Sequence, residues 1–473
     1  MKKVHVETWG CQMNVADSEQ MLSMLHGMDY VLTENEIEAD LFLLNTCHIR
    51  EKAKHKVLSR LGVLRELKEQ RPGVQIVVAG CVAQAEGAKL FKAAPQIDVI
   101  VGPGKITDLP ALLKQESGPA MSIGFNKPGA EKARQHHDHD DNADVHSSPQ
   151  VAPPTLTGKN EVTRFVNIIQ GCDNFCTFCI VPFTRGREVS RRAEEILAEC
   201  RLLIASGSKE IMLLGQNVNS YGLDLVAGGS LTATDAGPFV ELLRQVANLP
   251  GLQRLRFTTS NPHDFTVPLA QLFADDPRMG KYMHLPVQSG SDRVLEVMRR
   301  KVTVAEYRER IRWLREAVSD IAISTDLIVG FPGETNEEFE DTLKLVEEVQ
   351  YSFIYAFKYS SRKGTAAARM PGQIPEAVME ERLARLNALQ DGIIQRQVAA
   401  EIGQTREVLF LYESKKSPGV FYGRTEHYRP VRVKPETSEG RSFGKSFGKS
   451  LVGECLAIRI TGGNKTALEG VIH

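Results

Sequence analysis

In Phe165-Val166-Asn167-Ile168-Ile169-Gln170-Gly171-Cys172-Asp173-Asn174-Phe175-Cys176-Thr177-Phe178-Cys179, a short apolar strand runs into a glycine and then into three cysteines at C-x3-C-x2-C spacing. Three thiolates leave one iron of a [4Fe-4S] cluster without a protein ligand, and that open iron can chelate a substrate. A zinc site would close its shell with a further C-x2-C pair or a His-x3-His partner, and neither follows. A disulfide framework belongs to exported proteins. The start MKKVHVETWGCQMN carries no apolar signal core, and no stretch reaches the ~20 apolar residues of a membrane span, so a reducing, cytoplasmic setting without membrane contact is expected. In enzymes with this spacing the chelated molecule is S-adenosylmethionine, held so that one electron from the cluster cleaves its sulfonium and releases a carbon radical. Phe178, directly before Cys179, can lie against the adenine of that nucleotide.

Outward from this segment the pattern repeats strand then helix. Strands are expected at Phe165 to Ile169, Ile211 to Leu214, Leu255 to Thr258, Tyr282 to Val287, Ile321 to Val329 and Phe353 to Tyr359, with helices such as Ala193 to Ala205 and Asn336 to Glu348 between them. Six such units make a partial (β/α)6 barrel, and the cysteine loop follows its first strand, at the carboxyl end where barrels carry chemistry. The exit Val329-Gly330-Phe331-Pro332-Gly333-Glu334-Thr335 lacks the Gly-Lys-Ser/Thr ending of a phosphate loop. It reads either as a tight turn into a helix or as the place where Ile328 and Gly330 border an adenine.

Toward the N-terminus three more cysteines follow strands. Val4 to Thr8 leads to Cys11, Leu41 to Leu44 leads to Cys47, and Gln75 to Ala79 leads to Cys81. Helical patterns come after each: Asp17-Ser18 is expected to cap the first helix, Glu51 to Lys68 form the second, and Ala83 to Ala93 the third. Strands alternating with helices build a parallel-sheet α/β domain whose ligands sit at the carboxyl ends of the strands. Cys11, Cys47 and Cys81 can therefore converge as a second three-thiolate site, against the plainer alternative of three buried cysteines acting as small hydrophobes. Cys200 and Cys455 are expected to be structural thiols.

The 473 residues suggest about three domains, and 42% hydrophobic with 25% charged residues is ordinary for a globular chain. Expected boundaries are 1–117, a disordered linker 118–157, the barrel at 158–396 and a last domain at 397–473. The linker is rich in Pro, Gly, Ser, His and Asp. His136, His137, His139 and His146 lie there beside Asp138, Asp140, Asp141 and Asp144, without a scaffold that would fix metal geometry. After a helix at Glu376 to Ala399, short strands at Glu407 to Tyr412, Val420 to Gly423, Val431 to Val433, Leu451 to Ile460 and Ala467 to Val471 make a small β-barrel. The net charge of −1 gives no overall pull toward nucleic acid, but Val398 to His473 hold 12 Lys plus Arg against 8 Glu and no Asp. Phe421, Tyr422, Arg424, His427, Tyr428, Arg429 and Arg432 offer cations for phosphates and flat rings for unstacked bases, against a bland basic surface. Gly440 to Ser446, partly repeated at Phe447 to Ser450, has too few residues between its glycines for a phosphate loop and is expected to be a mobile basic loop. Arg185, Arg187, Arg191 and Arg192 are candidates to face RNA. Arg299-Arg300-Lys301 read as the solvated end of a helix.

Thr8-Trp9-Gly10-Cys11-Gln12-Met13-Asn14, Asn45 to Ala53, Gly171 to Arg187, Leu214-Gly215-Gln216-Asn217-Val218 and His284 to Ser291 together resemble the methylthiotransferases, and within them the MiaB branch. The likeness spans nearly the whole chain, with gaps at the linker and at a short insertion near 437–450. It implies an enzyme that places a methylthio group on carbon 2 of isopentenyladenosine, just 3′ of the anticodon in tRNA. It makes Cys172, Cys176 and Cys179 the ligands of the radical [4Fe-4S] cluster and Cys11, Cys47 and Cys81 those of an auxiliary one, and it gives Gln216 a role at the methionine amino group, against the plainer alternative of a turn glycine, Gly215, followed by a capping amide. S-adenosylmethionine would serve twice, as methyl donor to a sulfur on the auxiliary cluster and as radical source. The final module resembles the RNA-binding TRAM module. The implied partners are the tRNA anticodon stem-loop and a flavodoxin- or ferredoxin-type electron donor, with the chain a monomer. The alternatives are the same chemistry on threonylcarbamoyl-adenosine or on a ribosomal-protein aspartate, and a non-catalytic iron-sulfur protein that binds RNA or senses redox state.

Overall fold

The computed structural model describes residues 1–47, 51–115, 118–125, 161–435 and 450–472, with only the backbone of 51–54. The histidine-rich tract, most of the expected linker and the basic loop at 440–449 lie outside the described residues. The chain divides into two compact units, the first holding the residues up to Phe125 with Gln170–Asp173 and Ile180–Glu188, the second the rest.

In the first unit, β1 (Lys2–Trp9), β2 (Tyr30–Leu32), β3 (Leu41–Thr46), β4 (Gln75–Gly80), β5 (Val99–Val101) and β6 (Ala120–Ser122) form one parallel sheet in the order β2-β1-β3-β4-β5-β6. A parallel sheet is covered on both faces, so its inner strands read as apolar runs. Phe42, Leu44, Ile76 and Val78 pack under Val57, Leu61 and Leu64 of the helix Glu51–Gln70. Leu41, Leu43, Val77 and Ala79, turned to the other face, meet Met21 and Leu25 of the helix Gln12–His26. Strand order reverses between β1 and β3, which opens a crevice at their carboxyl ends.

Three local expectations change. The first helix begins at Gln12 with Cys11 as its N-cap, and Asp17 and Ser18 are buried inside it, because Asn14 already closes a capping box with Cys11. The third helix is split into Cys81–Glu86 and Lys89–Ala93 by Gly87, whose φ of +49° no helix continues through. Residues 120–122, placed in the linker on composition, pair with β5 as a sheet strand.

In the second unit, β7 (Thr163–Asn167), β8 (Glu210–Leu214) and β9 (Arg254–Phe257) are parallel in the order β9-β8-β7, and β10 (Tyr282–His284), β11 (Ala322–Val329) and β12 (Phe353–Lys358) are parallel in chain order. A parallel bridge between Leu255 and Met279 links the two sets into an open, partial (β/α)6 barrel. Ile323, Leu327, Val329 and Ile354 face the covering helices, so their alternates face inward. The last strands, β13 (Thr405–Glu413), β14 (Phe421–Thr425), β15 (Pro430–Val433), β16 (Cys455–Gly463) and β17 (Leu468–Ile472), close a barrel in the order β13-β14-β15-β17-β16. The helix Glu376–Glu401 serves both cores, with Leu386 and Ile393 in the central one and Ile394 and Val398 in the final one. The expected boundary at 396/397 thus falls inside one helix.

Candidate functional site

The register places three cysteines side by side. Trp9 pairs with Thr46 and Thr46 with Gly80, so Cys47 and Cys81 leave β3 and β4 at the same level, and Cys11 lies two residues past Trp9 at the strand-order reversal. The Cys47 amide donates to the Trp9 carbonyl at 2.8 Å. A Cβ on Gly10 would come within 2.9 Å of the Cys47 Cβ, which shows how closely the exits of β1 and β3 approach. Behind the thiols lies a buried amide network: Asn14 Nδ2 donates to Asn45 Oδ1 at 3.0 Å, and Asn45 Nδ2 donates to the Asn14 carbonyl at 2.8 Å and to Ser18 Oγ at 2.9 Å. The Cys11 thiol donates to Asn14 Oδ1 at 3.4 Å. Asn14 thus ties the Cys11 thiol to the network.

Arg185 completes this cluster. Its guanidinium donates to Asp17 Oδ2 at 2.6 Å, and both side chains are buried. Burial works against its charge, but Asp17, Cys81 and Cys11 outweigh it and hold Arg185 firmly protonated. Burial pushes the Cys81 thiol up, and Arg185 pulls it part of the way back. Three thiols at one crevice, with a fixed cation to offset thiolate charge, fit a three-thiolate iron-sulfur cluster.

The other cysteine loop is divided between the two units. In the first, Gly171 adopts φ +81° against the Arg187 carbonyl, where any Cβ would come within 2.0 Å of that oxygen, and the Cys172 amide donates to the Gly186 carbonyl at 3.1 Å. Arg187 pairs with Asp173. In the second unit, Cys176 and Cys179 are half-buried, and the Cys179 amide donates to the Cys176 carbonyl at 3.0 Å. Thr177 anchors the loop through its amide to the Met298 carbonyl at 3.1 Å and its hydroxyl to the Val297 carbonyl at 3.0 Å. Arg300, expected at a solvated helix end, instead donates to the Pro286 carbonyl at 2.7 Å and sits 3.7 Å from Cys176 Sγ. Here too a cation beside a thiol fits an iron-sulfur ligand.

Phe178 and Ile328 are both half-buried and pack against one cluster that includes Val294, Met298, Phe331 and Met379. The Gly330 turn is braced by Glu334, whose carboxylate accepts from the Gly330 amide at 2.7 Å and pairs with buried Arg382 at 2.6 Å. Gln216 is half-buried just past the end of β8. The inner barrel face carries titratable groups that sequence reading missed. His284 Nδ1 bonds Ser324 Oγ at 2.9 Å, its Nε2 lies 3.6 Å from Asp326, and Tyr282 bonds the same Ser324 hydroxyl at 2.6 Å. Burial pushes the Asp326 carboxyl up to about 7, against the pull of Arg300, and pushes His284 down to about 4. Asp326 keeps 30% of its side chain open toward the barrel interior.

In the final barrel, most of the rings and cations expected to meet RNA are used internally. His427 is buried against Asp320 at 3.0 Å, Arg429 bonds Gln397, and Tyr428 stacks on Tyr282 beneath Arg424 and Arg256. Tyr422, stacked on exposed Tyr412 at 5.3 Å, is a ring pair of a kind suited to unstacked bases. Of the four arginines after the cysteine loop, Arg185 is buried, Arg187 and Arg191 are paired with Asp173 and Glu199, and Arg192 is exposed. Cys200 is buried in the core and Cys455 lies near Arg254, and burial pushes both thiols up to about 12, as structural cysteines require.

Residues 3–102 match the family described as Uncharacterized protein family UPF0004, and residues 166–346 match the Radical SAM superfamily. A protein of Pseudomonas aeruginosa strain UCBPP-PA14 named tRNA-2-methylthio-N(6)-dimethylallyladenosine synthase is 44% identical over 440 residues, covering 92% of each chain. The chain belongs to that synthase family. A member from Geotalea uraniireducens is 40% identical over 471 residues, 99% of this chain and 98% of its own. Among solved structures, the radical S-adenosylmethionine methyltransferase TsrM from Kitasatospora setae superposes with a TM-score of 0.53 at 13% identity, over 78% of this chain and 74% of its own, which shows shared fold alone. Membership of the Radical SAM superfamily implies S-adenosylmethionine and a [4Fe-4S] cluster. No helix among the described residues is long and apolar enough to cross a membrane.

Proposed function

We propose that this chain transfers a methylthio group to carbon 2 of N6-dimethylallyladenosine, the isopentenyladenosine of tRNA. The observation that carries this reading is 44% identity sustained over 92% of both chains with a synthase named for that nucleoside. Threonylcarbamoyl-adenosine, a ribosomal-protein aspartate and a non-catalytic role are set aside on the same ground. The carbon 2 C–H of adenine is too weakly acidic for an ordinary base, so the reaction calls for a radical. Bound to its cluster, S-adenosylmethionine supplies one.

Cys172, Cys176 and Cys179 are assigned to that cluster, and Cys11, Cys47 and Cys81 to a second, auxiliary [4Fe-4S] cluster. Arg300 beside Cys176 and Arg185 beside Cys81 would each offset thiolate charge, and the Asn14–Asn45 network would hold the first set of thiols in place. Phe178, Ile328 and Gln216 are assigned to S-adenosylmethionine. The sheet unit would then be the auxiliary-cluster domain, the open barrel the radical domain, and the closed barrel a TRAM-like module for the anticodon stem-loop. A monomer in the cytoplasm, reduced by a flavodoxin or ferredoxin, completes the reading.

Nucleoside mass spectrometry tests it. tRNA from a deletion strain should lose the methylthio mark and accumulate isopentenyladenosine, and unchanged nucleosides would refute the substrate. In the anaerobically reconstituted protein, Cys176→Ala should abolish reductive cleavage of S-adenosylmethionine, whereas Cys47→Ala should retain some cleavage but make no methylthio product. Full product from Cys47→Ala would reduce the first site to a structural one.

A further inference from the structure

We infer that the inner face of β12, Phe353, Tyr355 and Phe357 with Asp326 alongside, is the wall on which the substrate adenine and its dimethylallyl group lie. The inference rests on the proposed function and adds how that nucleoside is recognised. Ser324 pairs with Phe353, Asp326 with Tyr355 and Ile328 with Phe357, and paired residues of parallel strands share a face. His284, edge-on to Tyr355 at 5.6 Å and bonded to Ser324, marks that face as the inner one. The three rings remain 44%, 40% and 45% exposed, although alternate positions on the same strands are packed into the core. Aromatic rings left wet on a concave inner wall are a binding surface awaiting an apolar, flat occupant.

The chemistry of the occupant follows from what stands next to the rings. A purine offers a flat face for stacking, and a branched five-carbon group offers only apolar surface, which suits an aromatic ladder. Asp326 can accept from the N6–H of a substituted adenine, and it repels the carboxylate that a threonylcarbamoyl substituent would carry. The wall also borders the cluster-bearing loop, since Ile328, the register partner of Phe357, packs against the same cluster of side chains as Phe178. Among the nucleosides considered, only the dimethylallyl one satisfies both the rings and the carboxylate.

The test uses the full chain and three anticodon hairpins that differ only in the adenosine 3′ of the anticodon: dimethylallyl, unsubstituted or threonylcarbamoyl. Dissociation constants are measured anaerobically at pH 8, where Asp326 is ionised. The wild-type protein should prefer the dimethylallyl hairpin over the unsubstituted one by about tenfold or more. Tyr355→Ala and Phe357→Ala should each weaken the dimethylallyl hairpin several-fold more than the unsubstituted one, erasing most of that preference. Asp326→Asn should tighten binding of the threonylcarbamoyl hairpin several-fold. Retained preference in both ring variants, an equal loss for all three hairpins, or no gain from Asp326→Asn would each overturn the wall. Absence of any preference in the wild-type protein would instead count against the proposed substrate.

Discussion

Arg185 decides the charge balance of the first cysteine site. Its guanidinium and the Asp17 carboxylate are 4% and 6% exposed, so neither is neutralised by solvent. Removing one partner of such a pair leaves the other charge buried and uncompensated, at about 3–5 kcal/mol, whereas removing both with apolar groups is much milder. Arg185→Met should therefore lower the stability of the sheet unit by about that amount, and Asp17→Leu added to it should recover most of the loss. Trp9 sits in β1 and the second of the two tryptophans, Trp313, in the other unit, so anaerobic urea unfolding followed by Trp9 fluorescence in a Trp313→Phe background reads the effect directly. Equal stability of the single and double variants would refute the pairing. The cysteines themselves were legible in sequence because spacing and strand exits are local patterns. Arg185 lies 168 positions from Asp17 and Arg300 lies 124 from Cys176, and no local periodicity announces a partner at that range. Both were accordingly assigned to surface roles from their basic neighbours.

At the scale of elements, the barrel strands were legible as apolar runs, but the residues that line their inner face were not. Period-2 alternation shows that two faces exist, and on a sheet covered by helices both can be apolar, so sequence alone does not tell the inner face from the helix-packed one. β10 and β11 place His284 and Asp326 side by side, and their titrations oppose each other. Asp326, raised by burial from the ordinary carboxyl range to about 7, binds its proton more tightly folded than unfolded, so its contribution to stability is lost as pH rises from about 4 to about 7. His284, lowered by burial to about 4, favours the folded state above about pH 6.5, and that contribution is lost as pH falls toward 4. The two slopes nearly offset in the wild-type chain. Relative to wild type, Asp326→Asn should become progressively more stable, and His284→Gln progressively less stable, as pH is raised from 4 to 6.5. Melting temperatures of the three proteins across that range check this. Parallel curves would show that folding shifts the proton affinity of neither group.

Across the second unit, the final barrel is bolted to the central one by a few buried groups rather than merely tethered. Arg256 pairs with Glu210 at 2.8 Å, both 1% exposed, and its remaining nitrogens donate to the Glu426 and Thr425 carbonyls at 3.0 and 2.9 Å. Arg254 donates to the Arg424 carbonyl at 3.0 Å, and Tyr428, held at φ +67°, stacks on Tyr282 at 4.7 Å. Such left-handed backbone is uncommon away from glycine and persists where surrounding contacts enforce it, here the two guanidiniums and the tyrosine face. Aromatic and basic residues interleave around Tyr428 as they do on RNA-binding surfaces, and docking against a sister domain uses the same chemistry as docking against a base. Arg256→Met should leave Glu210 buried without its partner and strip the 425–429 turn of two donors. The expected result is local: amide hydrogen exchange should speed up in peptides covering Arg254–Phe257 and Phe421–Val433, while peptides from β3 and β4 keep their wild-type rates. Unchanged protection at Phe421–Val433 would mean that the closed barrel is held by the shared helix Glu376–Glu401 alone.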